Sequence, residues 1–378
     1  MKRLEHLLDT SDLLVTFVRV AITGVPENVV IPSDFDWNTL YFLSERHKLT
    51  CVVWRGIELS GLTVPQPLFD KWYVRTQQAL SKSLRFEYEL TQIQKAFEDA
   101  GIDYVLLKGV VLQKYWPNNC LREFSDHDIL IRKEQREAAR DVMISLGYYN
   151  DLYGGSQDVY KKEPIYDVEI HTELLEEQLF YSAYFADIWN RVIPAEGNMH
   201  QFTFNPVDFY LYFLVHFCKH AQSKGSGLRF YIDLYTLQTQ LVFSAEEQKQ
   251  ITSFLSKFDL EEYIRRFTDI KNCFFQEKRE ISPRDKEMIF SGSVYGGHTQ
   301  SIYNSINKYG TRQYVLRRLF PPRSVLEVKY KVLHNLPFLL PICWIYRFIH
   351  HIFNGFHRQR IFREIREVKR FSGKEVQK

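Results

Sequence analysis

Residues 104–131 read YVLLKGVVLQKYWPNNCLREFSDHDILI. The apolar run 104–107 has strand character and breaks at Lys108-Gly109. Residues 110–116 then predict one short helix, stopped by Pro117. A polar loop follows, and the segment closes on Ser125-Asp126-His127-Asp128 running into Ile129-Leu130-Ile131. Side chains alternate across a strand, so Asp126 and Asp128 project from one face of the sheet. Carboxylates held that close repel unless a cation or a proton stands between them. This pair is the sharpest chemical signal in the chain.

The flanking sequence supplies the rest of a sheet. Gly101 and Asp103 make the turn into the first strand. Residues 134–146 predict a helix with Ala139, Val142 and Leu146 on one side and Gly147 closing it. Residues 148–152, 159–161 and 165–171 read as strands, separated by Gly154-Gly155 and Glu163-Pro164. The order β-α-β-α-β-β-β implies an α/β (α+β) core over 101–175, a mixed sheet flanked by helices. Asp167, Glu169 and His171 share one face of the last strand. If that strand lies beside the Asp126/Asp128 strand, one of its acids completes a three-carboxylate cluster. Glu169 is the expected third acid, with Asp167 a rival of the same parity. Such a cluster suits Mg²⁺, or Mn²⁺ in its place, hard cations that share their shell with substrate phosphates. Two metals so held serve in-line phosphoryl or nucleotidyl transfer. At the Lys108-Gly109 turn, glycine lets the backbone approach a phosphate, and the following helix start offers N–H groups to it.

Taken together, Leu107-Lys108-Gly109, Arg122, Ser125-Asp126-His127-Asp128-Ile129-Leu130-Ile131 and Val168-Glu169-Ile170-His171 resemble the DNA-polymerase-β-type nucleotidyltransferase superfamily. More narrowly, the chain resembles the bacterial uncharacterised nucleotidyltransferase group, whose signature runs L-K-G, R-x-x-x-D-x-D and h-E-h-H. A looser likeness extends to His216, His220, Arg229 and Asp233, and to 339–347. The resemblance implies a nucleotidyltransferase fold and transfer of a nucleoside monophosphate from an NTP to an acceptor hydroxyl or phosphate, releasing pyrophosphate. It implies that Asp126, Asp128 and Glu169 hold the metals, that Lys108 and Gly109 sit at the triphosphate, and that Arg122 and His171 line the nucleotide site. The acceptor would be a small molecule, a protein or an RNA. It further implies a bacterial protein, in a group with members thought to act in surface-polysaccharide production. One departure stands out: the superfamily carries Gly-Ser or Gly-Gly at the turn, and here Val110 follows Gly109. A non-catalytic nucleotide-binding or membrane-associated assembly protein with the same fold is the alternative.

The remainder is helical in pattern. Residues 1–100 divide into three or four helices at Gly24-Val25-Pro26, Gly61 and Pro65-Gln66-Pro67, with Phe86, Leu90, Ile93 and Phe97 on one face. Residues 176–335 read as a second helical region, with helix starts at Asn205-Pro206, Ser244 and Ser282-Pro283 and a Gly/Ser/Asn-rich loop expected over 291–310. His216 and His220 are too few ligands for zinc, and Arg229 with Asp233 is most simply a helix ion pair. Residues 336–378 form an aromatic, then basic tail. From Arg347 onward nine Lys/Arg oppose three Glu, a net of +6, leaving −3 of the chain's total of +3 for the rest. The tail is read as an anchor on an anionic membrane surface, as a helix docked on the protein itself, or, third, as a basic face for nucleic acid; DNA is not the expected partner. Five scattered cysteines without C-x-x-C spacing read as reduced thiols. No signal peptide is expected, so the location is cytoplasmic, with the inner membrane face an extension of it.

Overall fold

The computed structural model describes residues 2–175, 181–223, 225–294, 296–326, 330, 332–353, 364–369 and 371. Two units emerge, Met1–Cys218 with Gly227–Lys286, and Lys219–Ser226 with Glu287–Lys378.

In the first unit, α1 (Lys2–Thr23), α2 (Trp37–Arg46), α3 (Thr50–Leu59) and α4 (Gln66–Asp99) lead into the sheet. Gly56 is where α3 crosses α1: a Cβ there would lie 2.0 Å from the Phe17 carbonyl oxygen. In the 34-residue α4, Leu68, Trp72, Ala79, Phe86, Leu90, Ile93 and Phe97 recur every three or four residues and are buried.

The strands are β1 (Tyr104–Leu106), β2 (Asp126–Ile131), β3 (Tyr149–Leu152), β4 (Gln157–Lys162), β5 (Tyr166–His171), β6 (Ile193–Pro194) and β7 (Gln201–Thr203). Helix α5 (Lys108–Gln113) follows β1, α6 (Arg136–Ser145) follows β2, and α7 (Ser182–Phe185) follows β5. The order is β3-β4-β5-β2-β1-β7-β6, with β2/β5 and β1/β7 parallel and the other neighbours antiparallel. The α/β reading of the sequence is therefore the fold, with one addition. The stretch after 175, read as helical, also contributes β6 and β7, strands too short to show a period of two.

Alternation sorts the two faces of the sheet. Tyr104, Leu106, Ile129, Ile131, Val168 and Ile170 pack against Phe86, Leu90, Ile93 and Phe97 of α4 and Ala139 and Met143 of α6. His127 shares that apolar face, its Nε2 3.1 Å from the Phe86 carbonyl oxygen. Asp126 and Asp128 project from the other face.

The unit is completed by α8 (Pro206–Ser223), α9 (Leu228–Gln240), α10 (Ala245–Lys257) and α11 (Glu261–Phe275). Two helix starts have the geometry their sequences announce. The Asn205 side chain accepts from the Asp208 N–H at 2.9 Å, and Ser244 and Glu247 form a reciprocal capping box. The N-terminal and later helices are tied by Arg19, which donates to both Glu27 carboxylate oxygens at 2.7 Å and to the Phe274 carbonyl at 2.8 Å. Arg19, helped by Lys278, holds the Glu27 carboxyl down at about 2. A carboxyl lowered in the fold stabilises fully above its unfolded value and loses that contribution as pH falls through about 2. Discounted for solvent screening, Glu27→Gln is expected to cost about 1–2 kcal/mol at neutral pH. The difference between the two proteins should vanish on acidification below the Glu27 value, as read by urea unfolding across pH.

The second unit contains the end of α12 (Pro283–Phe290), then α13 (His298–Leu319), the short α14 (Arg323–Leu326) and α15 (Val332–Asn335), and α16 (Leu340–Phe353). The expected loop over 291–310 is a correction: from His298 onward it is helix. Ile302 and Ile306, four residues apart, bury against Met288 and Phe371, and this outweighs the poor propensity of the Gly/Ser/Asn composition. Gly310 interrupts α13 at φ 76°. Residues 364–369 are helical, with Glu364 buried and accepting from Tyr314 and Arg318. Of the basic tail, 354–363, 370 and 372–378 lie outside the described residues. The part that is described docks on its own unit. Among the described residues no helix is long and apolar enough to cross a membrane, and all five cysteines are free thiols.

Candidate active site

The site is built where β2 and β5 run parallel. Their register pairs Asp126 with Asp167 and Asp128 with Glu169. All four acids, and His171, therefore project from the face opposite α4. Strand parity left Asp167 and Glu169 equivalent; the register sets Glu169 beside Asp128.

Asp128 is the centre. Its side chain is 6% exposed, and its Oδ1 accepts from Lys108 Nζ at 2.8 Å and from His171 Nε2 at 2.9 Å. His171 Nε2 also lies 3.6 Å from Glu169 Oε2, which accepts from Gln157 Nε2 at 3.2 Å. Burial pushes the Asp128 carboxyl up, but Lys108 and then His171 more than reverse this and keep it ionised. Asp126 and Glu169 fare differently. Burial, and after it the Asp128 charge, hold both above the usual carboxylate range. For Lys108 burial works downward, and the carboxylates of Asp128 and Glu169 outweigh it, so the ammonium is retained.

The Lys108-Gly109 turn is organised differently from the expectation. The left-handed backbone falls on Lys108, at φ 39°, a conformation that costs a non-glycine residue about 1–3 kcal/mol. The ion pair with Asp128 offsets that strain. Gly109 packs closely, since a Cβ there would lie 3.2 Å from the Phe124 Cβ, a contact that Phe124 would have to relieve by a few tenths of an ångström. Arg122 lies close to this turn but is committed elsewhere. Its Nε and Nη2 donate to Asp233 Oδ1 and Oδ2 at 2.8 and 2.9 Å, and its Nη1 to the Gly109 carbonyl at 3.2 Å. The pair is buried, and Trp116 Nε1 shares Asp233 Oδ1 at 2.8 Å. The Arg229–Asp233 helix pair is thus corrected: Arg122, far away in sequence, takes the Asp233 carboxylate, while Arg229 donates to the Glu123 carbonyl at 2.6 Å.

One residue of the site carried no sequence signal. Tyr212 of α8 is buried close enough for the charges of Lys108, Asp128 and Glu169 to act on its hydroxyl, which burial raises above its ordinary value. Nothing local distinguishes it from a core residue of its helix. Asp233, singled out in the sequence, anchors Arg122 in place of Arg229.

The donor set fits a divalent cation. Asp128, Glu169 and His171 each offer one ligand atom within 4.8 Å of one another; Asp126, on the same face one strand repeat away, is not in that group, and neither are His216 and His220. Asp126, Asp128 and Glu169 set against Lys108 leave two negative charges unmatched, and two of the three carboxyls are disfavoured as anions where they stand. A hard dication answers both conditions.

The chain belongs to the uncharacterised nucleotidyltransferase family, whose model matches residues 33–276, well over half of its length. The matched span holds the whole sheet and every residue of the site. The family is one of nucleotide-transfer proteins. No curated protein matches the chain. A solved structure, the antibiotic-resistance factor ANT(2'')-Ia, is similar at 11% identity over 47% of this chain and 95% of its own, with a TM-score of 0.34, a likeness too slight to bear on function.

Proposed function

We propose that the protein transfers a nucleoside monophosphate from an NTP to an acceptor hydroxyl or phosphate, with Asp126, Asp128 and Glu169 holding Mg²⁺ and pyrophosphate leaving. The observation that carries this is the cluster of three carboxylates on adjacent parallel strands with one ammonium among them, in a chain of a nucleotidyltransferase family. When bound, the metal would activate the attacking oxygen and neutralise charge on the leaving group. The chain's own residues prepare for it. Lys108 keeps Asp128 ionised, His171 fixes the orientation of the Asp128 carboxylate, and Gln157 orients Glu169. Arg122 is a positioning residue that ties the Gly109 turn to Asp233. As substrate phosphates arrive, the Lys108 ammonium turns from Asp128 toward them. The acceptor is a small molecule, a protein or an RNA, and the setting is cytoplasmic. The test is incubation with α-labelled NTPs and Mg²⁺. Label transfer supports the reading, and its absence with every NTP refutes turnover. NTP binding without transfer would favour a nucleotide-binding protein, an outcome the hydroxyl-free Gly109-Val110 turn makes worth measuring.

A membrane-facing surface belongs to the same proposal. Phe338, Ile342, Ile345 and Tyr346 are between 58% and 71% exposed along and just before α16. Such an apolar face beside Arg347 suits the interface of an anionic bilayer. Ile342→Asp with Ile345→Asp is expected to lower co-sedimentation with phosphatidylserine vesicles about tenfold. Unchanged partitioning would remove the membrane from the proposal.

A further inference from the structure

Helix α4 has two apolar faces. One packs on the sheet as described. On the opposite side Phe69, Tyr73, Val74, Leu80, Leu84 and Tyr88 are between 38% and 62% exposed. With 100° per residue, all but Val74 fall within one stripe running up the helix, and Phe69 stacks on Tyr73 at its lower end. An ordinary surface helix is polar on the side away from its core. Here five apolar side chains line the outer face over about five turns, with Asp70, Gln77 and Glu87 interspersed among them.

We infer that this stripe is the self-association surface of the protein, covered by the same stripe of a second copy in an antiparallel pair. Two features point to a second copy. The first is area: these side chains present on the order of 500 Å² per copy, so a face-to-face pair buries roughly 1,000 Å², the threshold of a specific interface. The second is charge. Asp70 and Arg85 lie on the same flank of the stripe, one toward each end, and both are exposed. In an antiparallel pair, same-side flanks meet. A two-fold axis near Gln77 therefore sets Asp70 of each copy against Arg85 of the other, while Leu80 and Leu84 interdigitate with Tyr73 and its neighbours across the seam. A two-fold makes this contact twice, so a single complementary pair of residues suffices to fix the register.

Sedimentation equilibrium of the full chain at micromolar concentration tests the assignment. The wild type is expected to be a dimer. Leu84→Glu, and separately Tyr88→Lys, should raise its dissociation constant about 100-fold, with far-UV circular dichroism unchanged because both positions face solvent in one copy. Asp70→Arg alone and Arg85→Asp alone should each weaken the dimer about tenfold, and the double exchange should restore it. A wild-type protein of single-chain mass at all concentrations overturns the inference. So does a dimer indifferent to Leu84→Glu and Tyr88→Lys, or a double exchange no better than the single ones.

Discussion

Asp128→Asn is expected to reduce NTP-dependent label transfer about 10³-fold while leaving the fold in place. The substitution keeps an oxygen acceptor for Lys108 and His171, which now meet at Oδ1. It removes the one carboxylate of the cluster held firmly ionised, whereas Asp126 and Glu169 are both displaced upward by burial and by Asp128 itself. Without the Asp128 charge Asp126 and Glu169 are relieved of its repulsion and ionise more readily, but the cation is left with two carboxylates in place of three. A second readout separates this from simple loss of activity: Mn²⁺ binding, followed by electron paramagnetic resonance, should weaken at least tenfold in Asp128→Asn. Urea unfolding of the variant should remain a single cooperative transition at a somewhat lower midpoint, since the Lys108 ammonium keeps an acceptor but loses its counter-charge. Transfer that survives the change would sink the proposed metal site.

Asp233→Ala is expected to destabilise the first unit by about 3–5 kcal/mol. Arg122 and Asp233 side chains are 7% and 2% exposed, so removing the carboxylate strands a buried guanidinium and takes the acceptor from the Trp116 indole. The cost is that of leaving a charge without its partner, which makes the double variant informative. Arg122→Leu with Asp233→Leu should unfold at higher urea than Asp233→Ala, because an apolar pair leaves no buried charge unpaired, only the Trp116 indole N–H and the Gly109 carbonyl. Arg122 also holds the Gly109 carbonyl, so any folded Asp233→Ala protein should transfer label more slowly than wild type. A denaturation midpoint close to wild type would show that the pair contributes little.

The reach of local chemistry explains which of these features a reader of the sequence could have found. The alternation that exposes Asp126 and Asp128 together while burying His127 and Ile129 is a property of any strand. The helix starts at Asn205 and Ser244 are set by side chains within three residues of the N–H groups they satisfy. By contrast, the expected loop over 291–310 became α13 because Ile302 and Ile306 found Met288 and Phe371, and composition carries no information about that encounter. The strands β6 and β7 escaped notice because two or three residues cannot display a period.

The sequence by itself determined the class of fold, the faces of the strands and the presence of paired acids, since each follows from short-range sterics and periodicity. Only the tertiary structure decided that Glu169, and not Asp167, neighbours Asp128, because strand register is chosen by the whole sheet. It decided likewise that Lys108 takes the left-handed backbone so that its ammonium reaches Asp128. It also gave Arg122 to Asp233, 111 residues away. Ion pairs of that range form where packing brings charges together and excludes water, and no spacing along the chain encodes it.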